Sequence, residues 1–254
     1  MKKILFTLFF ILLTTCSYAV SLHPPVTNVF GGPGAEYDGI YTINNTDDTD
    51  IRVFIKVSLG NCFSENKDLD AEKILVFDKK EYDVRAGEKI EIPYKVFIGE
   101  NFKGSVAIRV EFKTERTSGQ MISMLMSVPL YITVLGTENV DFDIESIDLQ
   151  TLNKTIQYKM VVKNKGNVHI RHSGSIDLYY KNKKNLVKTI EIPETVPTYC
   201  ESSREFIENL IPVDGLLKGK YIAVFKINAL EKEVQKEIKF KVDKDGNFVS
   251  EQKK

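Results

Sequence analysis

The stretch KMVVKNKGNVHIRHSGSIDLYY, Lys159 to Tyr180, reads as a strand, a tight turn and a second strand, and much the same sentence occurs earlier as GIYTINNTDDTDIRVFIKV, Gly39 to Val57. Successive strand side chains point to opposite faces, so apolar residues at every second position mark a sheet with one face in a core and one in water. Ile51, Val53, Ile55, Val57 and Leu59 follow that rule, as do Ile90, Ile92, Tyr94 and Val96, and Val106, Ile108, Val110 and Phe112. Charged residues such as Arg52, Lys56, Glu91, Lys95 and Arg109 stand between them.

The pattern restarts after VLG, which ends at Gly136. Ile156, Tyr158, Met160 and Val162 open it; Ile176, Leu178 and Tyr180 follow, then Tyr221, Ala223, Phe225 and Ile227, and last Val234, Ile238, Phe240 and Val242. No sustained helical stripe occurs beyond the first twenty residues. The repeat extends further. VRAGEKIEIPYKVFIGENFKGSVAIRVEF and YCESSREFIENLIPVDGLLKGKYIAVFKI share a polar turn, an alternating strand, a Lys-Gly loop and another strand, with Gly104 and Gly219 leading into the last. Many short strands written twice predict an all-β chain of two tandem immunoglobulin-like sandwiches, 20–136 and 137–243, followed by a frayed polar tail, 244–254.

The opening MKKILFTLFFILLTTCSYAV has two lysines, an apolar run from Ile4 to Leu13 and small residues at Ser17 and Ala19. That is the build of a secretory signal peptide, 1–19, cleaved after Ala19; a lipoprotein reading with Cys16 acylated is the alternative. No later apolar run reaches the roughly 20 residues that a membrane helix needs. The expected address is the periplasm, or export in another form.

Lys plus Arg and Asp plus Glu both total 35, so the overall balance does not call for nucleic acid, an anionic membrane or an acidic ligand. With no Trp, and one cysteine in each expected domain (Cys62 and Cys200), an antibody-type core is excluded. Two isolated thiols are the favoured reading, with a bridge between them open in an oxidising compartment.

Candidate chemistry is sparse. His169 and His172 would point to opposite faces of a strand and read as a surface pair, not as metal ligands. NNTDDTD (Asn44 to Asp50), DFDIE (Asp141 to Glu145) and DKDGN (Asp243 to Asn247) gather oxygen atoms but miss the calcium-loop frame, and read as solvated turns. Cys200 with either histidine is a poor nucleophilic pair, and no P-loop, dinucleotide fingerprint or G-x-S-x-G occurs. The expectation is no enzyme, no metal and no cofactor. NNT at Asn44 and NKT at Asn153 are glycosylation sequons of the sort that arise by chance in such turns.

These elements resemble exported bacterial proteins with immunoglobulin-like domains related to periplasmic pilus-assembly chaperones. The likeness is carried by VTNVFGGPGAEYDGIYTINNTDDTDIRVFIKV, VRAGEKIEIPYKVFI and SVPLYITVLG in the first half, and by VVKNKGNVHIRHSGSIDLYY and GLLKGKYIAVFKI in the second. In that family the last strand of the first domain offers alternate apolar side chains to a subunit and completes its sheet. The matching segment here is QMISMLMSVPLYITVLG, Gln120 to Gly136, where Met121, Ile122, Met124, Leu125, Met126 and Val128 are the candidate partner-binding residues. Three methionines on one strand make an adaptable surface. An ordinary core strand is the competing reading.

The family also grips a terminal carboxylate with basic residues near the chain start and on that strand. Here no Lys or Arg lies between Val20 and Ile51 or between Gln120 and Gly136, and Pro129 removes a backbone donor, so that mechanism is not implied. The expected partner is another exported protein, pilin-like or a surface subunit. A surface or envelope protein using the sandwiches as spacers or adhesive units is the alternative.

Overall fold

A computed structural model describes residues 20–60, 69–119, 122–243 and 248–250. The expected signal peptide, Cys16, Cys62 and Met121 lie outside the described residues. The chain divides into two compact units, one built from residues 20–60, 69–100 and 107–132, the other from 101–106 and 133–250. The architecture is the expected one, two β-sandwiches in tandem.

The first sandwich is built from β1 (Val20–His23), β2 (Thr27–Gly31), β3 (Glu36–Asn45), β4 (Ile51–Leu59), a single helical turn α1 (Ala71–Ile74), β5 (Leu75–Phe77), β6 (Glu81–Val84), β7 (Lys89–Phe97), β8 (Ser105–Arg116) and β9 (Ser123–Val134). One sheet has the order β1-β3-β7-β5, the other β2-β9-β8-β4-β6. The alternation seen in the sequence maps directly onto the core. Val53 and Ile55 of β4 and Val110 and Phe112 of β8 are buried, while Arg52 and Arg109 are exposed. Facing them, Tyr41 packs on Tyr94 and Phe112 at centroid distances of 4.8 and 5.2 Å. Tyr94 lies over Gly39, its register partner, so closely that a Cβ there would sit 2.2 Å from the ring.

The second sandwich is built from β10 (Phe142–Leu152), β11 (Thr155–Asn164), β12 (Ser173–Tyr180), β13 (Leu186–Ile192), β14 (Ser203–Pro212), β15 (Gly219–Ala229), β16 (Lys232–Val242) and β17 (Phe248–Ser250). Its sheets run β10-β11-β14 and β13-β12-β15-β16-β17. Ile156, Tyr158, Met160 and Val162 of β11 meet Ile176, Leu178, Tyr221, Phe225 and Phe240 in one buried cluster.

A single device explains why the sentence is written twice. Asn45 ends β3 and Asn164 ends β11, and both are fully buried. Asn45 Nδ2 donates to the carbonyls of Thr49 (3.0 Å), Val84 (3.3 Å) and Arg85 (2.9 Å), and its Oδ1 accepts from Asp47 N at 3.1 Å. Asn164 Nδ2 donates to Val168 O (2.7 Å) and Thr198 O (3.2 Å), and its Oδ1 accepts from Gly166 N at 3.0 Å. The backbone N–H groups of Asn45 and Asn164 donate to Glu88 O and Ser202 O, each the residue just before the strand that pairs with its own, β7 or β14. The side-chain amide thus supplies partners that a turning backbone would otherwise leave unmet inside the fold.

Four expectations are corrected. The link between β11 and β12 is not a tight turn but eight residues, 165–172, tied by a bridge between Ile170 and Thr198. His169 and His172 therefore lie off the strands, and His172 is fully buried instead of superficial. Beyond Asp243 the chain is not simply frayed, because β17 pairs with Phe240–Val242 of β16. The thiol reading also fails: Cys200 is disulfide-bonded.

Candidate functional site

Strand β9 changes character along its length. From Val128 onward Leu130, Tyr131, Ile132 and Val134 are buried, as in an ordinary core strand. Before that point Met124 is 39% and Leu125 61% exposed, Ile122 just ahead of the strand is 44% exposed, and Met126 is half-buried. Ile122, Met124, Met126 and Val128 share the parity of the core face, and Leu125 belongs to the opposite one. Both faces of this half therefore carry apolar groups in contact with water. Met121 lies outside the described residues.

The edge of the same strand is only partly covered. On one side β8 runs antiparallel to it: Arg116 N donates to Ile122 O at 3.3 Å, and the Thr114 hydroxyl reaches Met124 O at 3.5 Å. On the other side its neighbour in the sheet is β2, five residues against the twelve of β9. The course of the chain shows which half β2 flanks. Val20, paired with Asn45, lines a notch together with Ile122 and Met124. Gly31, at the end of β2, packs against Tyr37 and Ile98. Asn45 and Tyr37 are eight residues apart on β3, roughly 26 Å. β2 therefore lies toward the buried half of β9, and the outer edge around Ser123–Ser127 has no strand beside it among the described residues.

The notch has a volume of about 210 Å³ and is lined by Val20, Asp47, Ile51, Thr114, Arg116, Ile122 and Met124. Its floor is an ion pair. Arg116 Nε donates to Asp47 Oδ2 at 2.8 Å and Nη2 lies 2.6 Å from the same oxygen, with both side chains largely out of solvent. Burial pushes the Asp47 carboxyl up, but hydrogen bonds from Arg116 and Asp48 outweigh it and hold the group below the usual carboxylate range. Asp47 belongs to NNTDDTD, read from sequence as a solvated turn. One of its acids is instead a buried counter-ion for a cation 69 residues away. Arg116 lies outside Gln120–Gly136 in the sequence and reaches the site from the end of β8.

The other candidates occupy different places. His172 Nδ1 is 3.2 Å from the Thr195 hydroxyl, and its ring meets Phe206 edge-on at 4.5 Å. Desolvation lowers its pKa to about 4, and burial with Arg171 nearby lowers His169 to about 4 as well. Both rings are neutral packing groups at ordinary pH. Among the described residues no three His, Cys, Asp or Glu side chains converge as metal ligands would.

No protein-family model and no curated protein sequence matches the chain. Solved structures of periplasmic pilus chaperones are similar to it in fold. A chain from the CsuC–CsuE chaperone and tip adhesion subunit pre-assembly complex of Acinetobacter baumannii Csu pili is 14% identical, with a TM-score of 0.45 over 87% of this chain and 98% of that one. The class 5 fimbriae chaperone CfaA is 14% identical, with a TM-score of 0.47 over 86% and 98%. A chain from the Salmonella enterica SafA pilin–SafB chaperone complex is 11% identical, with a TM-score of 0.43 over 90% and 98%.

Proposed function

We propose that the chain is an exported, non-enzymatic protein-binding factor that acts as a pilus-chaperone-like assembly factor, capturing another exported protein by β-strand addition along the first half of β9. The observation that carries this reading is the coincidence, at Ile122–Ser127, of apolar side chains exposed on both faces with a strand edge that, among the described residues, runs well beyond its five-residue neighbour β2. Such an edge offers main-chain hydrogen bonds to an incoming strand, and the side chains beside it supply selectivity. Met124 and Met126 suit a surface that repacks around different sequences. The disulfide at Cys200 supports an oxidising compartment, in line with the signal-peptide reading of residues 1–19.

Leu125→Asp is the discriminating variant, because Leu125 is exposed and its loss costs the isolated fold little. Burying that side chain under a partner contributes about 1–2 kcal/mol, so partner affinity should fall roughly tenfold or more while the circular-dichroism spectrum is unchanged. Undiminished co-purification of exported proteins with Leu125→Asp would remove the basis of the proposal.

A further inference from the structure

The sheet β1-β3-β7-β5 turns one face away from the core of the first sandwich, and by alternation that face should be polar. Along its middle it is not. Ile40 is 51% and Val76 38% exposed, Pro93 is exposed, and Phe97 is half-buried. Ile40 is the register partner of Pro93, and Val76 is that of Lys95, two residues further along β7, so these side chains are neighbours on one face. Together with Asp38, Asp78 and Lys95 they line a hollow of about 340 Å³.

Pro93 accounts for the hollow. Glu88 O accepts from Asn45 N and Ile98 N donates to Ala35 O, each at 2.9 Å, so the even-numbered residues of β7 turn their backbone groups toward β3. The odd-numbered ones, Pro93 among them, face β5. Pro93 has no N–H to offer on that edge; β5 ends at Phe77, opposite Tyr94, and Asp78 leaves the ladder instead of pairing.

The three charged groups of the lining do not balance. Lys95 Nζ lies 3.6 Å from Asp38 Oδ1. Asp78 has no ion pair among the described residues; neither of the two lysines that follow it lines the hollow, and Lys80 is held by Glu72 at 2.7 Å. One added positive charge would make the lining neutral.

We propose that this hollow binds a small organic amine, its ammonium meeting Asp78 and its apolar body covering Ile40, Val76 and Pro93. The volume falls at the lower end of the roughly 300–1,000 Å³ of ligand sites, and an apolar wall with a few polar groups is their usual build. A carboxylic acid of the same shape is disfavoured, because Lys95 already faces Asp38 and Asp78 repels a second anion. The inference is independent of the strand-addition site, since β9 belongs to the other sheet.

The test is an amide-resolved NMR titration of the chain lacking residues 1–19 with 4-phenylbutylamine, and with 4-phenylbutanol and 4-phenylbutyrate as its neutral and anionic counterparts. The amine should shift the amides around Ile40, Val76 and Lys95 saturably, with a dissociation constant on the order of 1 mM for a ligand of this size. The alcohol should bind roughly five-fold more weakly, and the acid more weakly still. Asp78→Asn should remove the preference for the amine over the alcohol. Ile40→Ser should weaken both ligands roughly five-fold. Both side chains are exposed, so the spectrum away from the hollow should be unchanged in either variant. The proposal is overturned if no saturable shifts occur at the hollow, if the alcohol or the acid binds as tightly as the amine, or if either substitution leaves the affinity for the amine unaltered.

Discussion

Lowering the pH should destabilise the second sandwich well before its carboxylates protonate. His169 and His172 have folded pKa values of about 4, whereas an unfolded histidine titrates near 6.5. The unfolded chain therefore binds more protons between those values, so stability falls as pH falls through that window. From about pH 8 to about pH 5 each histidine should remove about 2 kcal/mol, and the pair about 4 kcal/mol. Asp47, Asp141, Asp177 and Glu237 are held below their ordinary values, so what they contribute is lost only at lower pH, as they themselves protonate. Urea unfolding followed by far-UV circular dichroism at the two pH values measures the difference, which is convenient in a chain without Trp. His172→Asn should roughly halve the pH dependence, because it removes one of the two equally shifted rings. Equal stability at both pH values, or an NMR titration placing the His172 ring near its unfolded value, would refute the burial argument.

Asn45→Ala and Asn164→Ala should each cost about 2–4 kcal/mol in their own sandwich, since each strands buried backbone groups, while Asn153→Ala at an exposed hairpin tip should cost under about 1 kcal/mol; denaturant midpoints with unchanged slopes would record both. Asp47→Ala should destabilise the first sandwich by about 3 kcal/mol by leaving Arg116 without its buried counter-ion, and Asp47→Ala combined with Arg116→Met should recover part of that loss in thermal melts. The Cys200-bearing peptide should resist alkylation under denaturing conditions until a reductant is added, as peptide mass spectrometry would reveal.

Much of this fold could be read from the chain itself. The alternation in Ile51–Leu59, Lys89–Phe97 and Tyr221–Ile227 became half-buried strands because period two admits no other regular partner for a core. The Asn-rich turns announced a repeat, but not that Asn45 and Asn164 point inward, because a turn residue and a buried bracket look alike in sequence. The short strands β2, β5 and β17 carry too few residues to show any period. On β9 the alternation is continuous from Ile122 to Val134, and nothing in it marks Val128 as the place where cover begins. Its neighbour on that edge, β2, lies nearly a hundred residues away in the chain. Burial of His172 and pairing of Asp47 with Arg116 are likewise products of long-range packing, to which local patterns are blind.

The most direct test of strand addition is residue-resolved amide hydrogen exchange on the chain, alone and with a captured exported partner. The amides of Ser123–Ser127 should exchange much faster than those of Leu130–Val134 in the free protein and become protected on binding. Protection already complete in the free chain, or unaltered exchange there in the complex, would contradict the account.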